Sequence, residues 1–133
     1  YLTYFPLEYS WHSHDKLHLV DPFRWLKDHV EKIVADQFQV SMQVFSMWAI
    51  LSRKKSRGDR HDHRGRISGV YYLDNGHGPD EPITAQINFH TSNGIKRVAP
   101  KNGQLLLFSA KLEHDVEMYL GTGRRAVVAF NLE

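Results

Sequence analysis

Phe23, Leu26, Val30, Ile33, Val34 and Phe38 recur at steps of three and four, which gathers them on one face of a helix. The spacing predicts a helix over about 22–37. Its start carries a signal of its own, with Asp21 as a carboxylate cap and Pro22 at the first helical position. Past this helix the period drops to two. Val40, Met42 and Val44 alternate with polar neighbours, and then Phe45, Met47 and Ala49 take the opposite parity. A bulge, or a strand buried on both faces, produces such a switch. Strand-like runs follow at 66–73, 83–89, 104–109, 115–120 and 125–132. Turn chemistry separates them: Asp74-Asn75-Gly76, Gly78-Pro79, Asn93-Gly94, Asn102-Gly103 and Gly121-Thr122-Gly123. One helix followed by short strands at this spacing predicts a mainly β protein, a sandwich or small barrel whose core spans about 40–132. The first twenty residues are aromatic and His-rich without a period, and are expected to form irregular structure or a short edge strand.

Composition narrows the chemistry. A length of 133 residues predicts a single domain over 1–133. The hydrophobic share of 41% and charged share of 24% suffice for a real core and exclude a disordered chain. Apolar runs such as 105–108 and 126–130 fall far short of the ~20 residues that span a bilayer. No charged-then-apolar leader opens the chain, so the expectation is a cytoplasmic protein without a membrane segment. There is no cysteine, which excludes a disulfide scaffold, thiolate zinc sites, iron–sulfur ligation and a cysteine nucleophile. Nine histidines leave imidazole and carboxylate as the available metal ligands.

The net charge of +2 is unevenly spread. Residues 53–66 hold seven Lys and Arg against two Asp, or +5, which leaves −3 for the rest. Such a segment attracts an anionic substrate or cosubstrate, or is simply a solvated loop. It is too local for a nucleic-acid footprint and has no interleaved aromatics, so nucleic acid is not an expected partner.

His61-Asp62-His63 is the sharpest local feature. On an extended segment, residues two apart share a face about 6.6 Å apart, so two imidazoles can converge on one ion while Asp62 points away. His114, at the start of a later strand, can supply a third ligand. The similar pair His12-Ser13-His14, with His18 nearby, has no patterned strand after it and reads as surface histidines. His29 in the helix, and His77 and His90 near turns, are given no role. P-loop and dinucleotide glycine patterns are missing. In Gly65-Arg66-Ile67-Ser68-Gly69 the serine stands one position too late for a nucleophile elbow.

Four blocks, read together, carry a family resemblance. His61-Asp62-His63 followed by Ile67-Ser68-Gly69-Val70-Tyr71-Tyr72-Leu73 resembles the H-x-H…SGVYY segment of a family of iron(II)/2-oxoglutarate oxygenases, with Trp48 and Gly58 where that family tends to have W and G. Pro100-Lys101-Asn102-Gly103-Gln104-Leu105-Leu106-Leu107-Phe108, then His114-Asp115-Val116, resembles its P-x-x-G-x-L-x-x-F…H-x-V block. Arg125, with Ala126-Val127-Val128-Ala129-Phe130-Asn131 after it, is similar to its closing R-x-x-x-A-F-N strand. The match covers about 48–131, in order.

The resemblance implies a double-stranded β-helix (jelly roll) with the metal at one mouth, preceded here by the helix. It implies an oxidoreductase, a dioxygenase that binds Fe(II), takes 2-oxoglutarate and O2, and releases succinate, with hydroxylation of a C–H bond in an unidentified substrate as the default outcome. It implies His61, His63 and His114 as metal ligands, with Asp62 as an alternative should it rotate inward. Arg125, eleven residues after His114, falls at the position that holds the far carboxylate of 2-oxoglutarate, a group that a bidentate guanidinium suits. Arg124 would point oppositely. Tyr71 or Tyr72 would bond the same carboxylate, since one of two successive strand residues faces inward.

Two departures stand out. His63 occupies the place where the wider superfamily has a carboxylate, giving a three-imidazole set that zinc hydrolases also use. Val127 stands where a polar residue often follows the arginine. The competing readings are a cupin-like metal-binding protein, for which Gly94 to Pro100 supplies a G-x5-P match but no glutamate follows His63 closely, and a non-catalytic binding module that holds an acidic partner through 53–66.

Overall fold

A computed structural model describes residues 2–3 and 9–133, with side chains from Tyr9 onward. Helix α1 runs Phe23–Phe38, close to the span its apolar stripe predicts. Val30 and Val34 are fully buried, and Phe23 and Leu26 pack beside them. The start differs from expectation. Pro22, not Asp21, stands at the cap position and no side chain caps the helix; Asp21 instead lies 3.9 Å from Arg24. Backbone closes the first turn, with Arg24 N–H donating to the Val20 carbonyl and Trp25 N–H to that of Pro22. At the far end Gln39 turns left-handed (φ 57°) and its N–H donates to the Ala35 carbonyl, which satisfies one of the orphan acceptors of a helix end. Among the described residues no helix is long and apolar enough to cross a membrane.

Among the described residues the helix is joined by ten strands: β1 Leu2–Thr3, β2 Ser10–Ser13, β3 Val44–Ser52, β4 Gly58–His61, β5 Ile67–Asp74, β6 Ile87–Thr91, β7 Gly94–Val98, β8 Leu105–Ser109, β9 His114–Val116 and β10 Arg125–Leu132. They form two antiparallel sheets, one ordered β1-β2-β3-β10-β5-β8 and the other β4-β9-β6-β7. This is the mainly β, double-stranded β-helix with an N-terminal helix that the sequence implied. Three details depart from expectation. Residues 83–86 are not strand, because Ala85 adopts φ 57° and breaks the run before Ile87. The strand expected over 115–120 is only His114–Val116. The β7 strand, mostly exposed, has too few apolar residues to announce itself. Residues 1 and 4–8, within the expected irregular start, lie outside the described residues.

The parity switch after the helix has both of its possible causes. Leu132 pairs with Val44 and Asn131 with Ser46, so Phe45 is the extra residue of a bulge. Both faces of β3 are also covered. Val44 and Met47 join Val128, Phe130 and Leu132 of β10 under α1, and each such side chain contributes roughly 1.5–3 kcal/mol relative to exposure. The opposite face of β10 looks into the barrel. Arg125, Val127, Ala129 and Asn131 share that face, and directly paired residues lie on the same side. Hence Ser46, Trp48, Ile50 and Ser52 of β3, and Ser68, Val70 and Tyr72 of β5, are also internal. Aromatic contacts tie the two sheets together: Phe108 of β8 stands 4.9 Å, ring centre to ring centre, from both Phe89 and His114.

Candidate metal centre

His61 and His114 are cross-strand partners in the β4–β9 pair, which places both imidazoles on one face. The neighbouring pair is Gly58 with Val116, and a Cβ on Gly58 would come within 3.3 Å of the Val116 Cβ, so glycine permits the close approach. His63 lies just past β4 and is anchored by backbone: its N–H donates to the Ala110 carbonyl at 2.8 Å, and its own carbonyl accepts from Lys111 Nζ at 3.1 Å. One nitrogen from each of the three rings lies within 4.8 Å of the others. His61 is exposed, His63 half-buried and His114 buried.

The hydrogen bonds set which nitrogen faces the centre. His61 Nδ1 lies 2.6 Å from the Asp59 carbonyl and His114 Nδ1 lies 3.0 Å from that of Leu112. A carbonyl only accepts, so in both rings Nδ1 carries the proton and Nε2 keeps its lone pair, as metal-ligating histidines are usually arranged. His63 Nε2 and His114 Nε2 are 3.1 Å apart. Two nitrogens about 2.1 Å from one cation at a right angle would stand about 3.0 Å apart. The set therefore fits a facially bound first-row metal. Burial, then repulsion from His61 and His114, brings the His63 pKa down to about 4, with Asp62 partly opposing. Burial likewise lowers His114, and the Leu112 carbonyl opposes it. Both rings are neutral at pH 7, the form that binds metal. Asp62 is exposed and does not belong to the three-ring group.

Arg125 is only 6% exposed. Its Nε has no hydrogen-bond partner, and among the described residues no carboxylate pairs with it. The guanidinium lies 5.9 Å from the centre of the Tyr72 ring. Desolvation depresses the Arg125 pKa while Tyr72 and Tyr119 support its charge; burial raises that of Tyr72. Register separates the two tyrosines. Tyr72 pairs with Val127 on the inner face, whereas Tyr71 pairs with Val128 on the outer one, so Tyr71 points away from Arg125. Arg124 precedes β10 and is exposed. Val70, Val127, Ile50 and Leu106 form an apolar cluster with Tyr72.

Sequence reasoning missed Tyr119. It is 1% exposed, its hydroxyl donates to the Gly123 carbonyl at 2.7 Å, and a Cβ on either Gly76 or Gly121 would collide with its ring or hydroxyl. Those glycines are its one trace in the sequence. Near the opposite end of β10, a cleft of about 690 Å³ opens beside His63, with Trp48, Ser46 and Asn131 among its lining.

The fold is a double-stranded β-helix that brings three imidazoles within ligating distance of one another and buries an arginine that no described carboxylate meets, the architecture of a cupin-like β-barrel. The sequence of residues 46–131 matches the family model described as "Putative 2OG-Fe(II) oxygenase". The chain belongs to that family, whose members are enzymes using Fe(II) and 2-oxoglutarate. Solved structures share the fold. A 2OG-Fe(II) oxygenase family oxidoreductase from Burkholderia pseudomallei has a TM-score of 0.73 at 16% identity, over 99% of this chain and 72% of that one. HygX from Streptomyces hygroscopicus, with nickel and 2-oxoglutarate bound, gives 0.75 at 12%, over 98% and 72%. A Pseudomonas putida prolyl-4-hydroxylase gives 0.70 at 15%, over 97% and 76%. No curated protein sequence matches significantly.

Proposed function

We propose that this protein hydroxylates a C–H bond of an unidentified substrate, with His61, His63 and His114 holding Fe(II) and Arg125 holding the far carboxylate of 2-oxoglutarate. The observation that carries the reading is Arg125, a buried cation without a described anion, on the inner face of the same barrel as the three imidazoles. A charge taken out of water is costly unless paired, and a dicarboxylate would supply the partner. Tyr72 lies beside the guanidinium on the inner face and adds a phenolic donor. Ile50, Val70 and Val127 offer apolar walls to the two methylenes. When bound, Fe(II) supplies Lewis acidity and redox chemistry with open coordination positions. The reaction takes O2, 2-oxoglutarate and a C–H bond to succinate, CO2 and C–OH, one oxygen atom entering each organic product. The chain's own contribution is to keep His63 and His114 neutral, to fix the tautomers of His61 and His114 through backbone carbonyls and to orient the cosubstrate.

Anaerobic titration with Fe(II) and then 2-oxoglutarate tests this. A visible charge-transfer band from the chelated 2-oxo acid is expected at one equivalent of each. Iron binding without the band would overturn the oxygenase reading and favour a hydrolytic or cupin-like three-histidine site.

A further inference from the structure

We propose that the cleft beside His63 binds a small zwitterion, a molecule bearing both an ammonium and a carboxylate as free amino acids and short peptides do, and that Ser46 and Asn131 orient it. As the identity of the oxidised substrate this rests on the reading above; as a binding site it does not.

Three polar residues lie across the inner face of the six-stranded sheet at one level, Ser46 paired with Asn131 and Asn131 with Ser68. They are 8%, 7% and 1% exposed. Ser68 Oγ donates to Asn131 Oδ1 at 2.6 Å, and Asn131 Nδ2 donates to Ser46 Oγ at 3.1 Å. This relay fixes the amide in one orientation and still leaves two donors without a described partner, the second amide N–H and the Ser46 hydroxyl. A buried donor left unsatisfied is unfavourable. Ser46 and Asn131, and not Ser68, line the cleft, and two adjacent donors match a carboxylate or carbonyl.

The lining carries charge of both signs. Asp15, Lys16, Asp62 and Arg64 are all among the cleft's lining residues. All four are exposed, and among the described residues none forms an ion pair. A molecule with both charges can use both kinds of group at once, its ammonium meeting a carboxylate of Asp15 or Asp62 and its carboxylate the Lys16 or Arg64 cation. Trp48, with its ring centre 6.0 Å from that of His63, offers an apolar surface beside the metal centre for the aliphatic part of such a molecule. The volume of about 690 Å³ has room for a single amino acid or a short peptide.

Saturation-transfer NMR on the full chain, with and without Zn(II) and 2-oxoglutarate, tests the assignment using three probes: a pool of L-amino acids, a pool of dipeptides with free termini, and N-acetyl amino acid methyl esters. Signal from either free-ended pool and none from the capped one is expected, and the pool that binds names the source. The double variant Lys16→Glu/Arg64→Glu changes only exposed residues and is expected to weaken the strongest binder at least about tenfold. Ser46→Ala, which keeps the Ser68–Asn131 bond, is expected to weaken it severalfold with unchanged circular dichroism. Equal signal from the capped pool, no signal from any pool, or a double variant that binds like the parent would overturn the proposal. The charge-transfer band from the same preparation reports on the oxygenase reading separately. Binding without the band sinks that reading alone, and the band without binding sinks this one alone.

Discussion

At the scale of single residues, three imidazoles stand with ring centres 4.4 to 4.9 Å apart, and the two more buried ones, His63 and His114, are kept neutral by burial, the form that binds a cation. Replacing His61, His63 or His114 by Ala is expected to abolish stoichiometric Fe(II) binding, as equilibrium dialysis would show; full retention in all three variants contradicts the site. Arg125→Ala removes charge-assisted bonds worth about 1.5–3 kcal/mol each. It should raise the Kd for 2-oxoglutarate by at least about tenfold and leave the Fe(II) Kd unchanged. Arg125→Lys should not restore affinity, because a lysine offers a point charge where the cosubstrate needs a fork. The histidine spacing and the arginine on the last strand are both visible in the sequence. The inward tyrosine is not, since alternation says that one of Tyr71 and Tyr72 faces in, and only the pairing of Tyr72 with Val127 says which. Tyr119 is beyond such reasoning. Its place is set by a coil that bonds back to residues 55 and 56, a long-range contact with no local pattern.

Elements show why some motif residues have nothing to do with chemistry. Gly69, in the middle of the Ser-Gly-Val-Tyr-Tyr run, pairs with Phe130, and a Cβ there would strike the Phe130 ring and approach the Leu106 carbonyl to 2.8 Å. Gly69→Ala is therefore expected to destabilise the protein by about 1–3 kcal/mol through overpacking, while the folded fraction binds Fe(II) normally. Denaturant titration beside metal titration separates the two effects. On the helix, Val34→Ala should cost about 2 kcal/mol from lost methyl burial and the cavity left, again without altering metal affinity. The helix was legible because its stripe is long and regular. The 83–89 run misled because Ile83, Ala85, Ile87 and Phe89 keep a strand period through a left-handed Ala85, and periodicity carries no information on backbone sign. The opposite failure, β7, is an exposed strand held by its ladder to β6 rather than by burial.

For the whole molecule, four histidines — His12, His18, His63 and His114 — share a depressed pKa, chiefly from burial. Each prefers to stay neutral when folded, so on acidification the unfolded chain takes up protons first. Their stabilisation is complete above pH 6.5 and declines as pH falls toward about 4, the value His63 reaches. The metal-free protein is thus expected to lose stability between about pH 6.5 and 4, before the depressed carboxyls of Asp115 and Glu81 contribute their own loss at lower pH. Denaturation midpoints across that range check the slope, which should be shallower for His63→Asn. An identical slope would remove His63 from the account.

One strand spans the whole site. Arg125 stands at one end of β10 and Asn131 at the other, both facing inward, and neighbours on each side lock the register. Six residues of extended chain cover about 20 Å, so the strand is a fixed ruler between the residues proposed to hold the cosubstrate and the zwitterion. A ruler with a period of two has no half-steps. Losing or gaining one residue between those points turns one of them outward, whereas a change of two keeps both facing in and shifts their separation by about 6.6 Å. The spacing between the two proposed sites is therefore quantised, and intermediate separations can be met only by exchanging side chains.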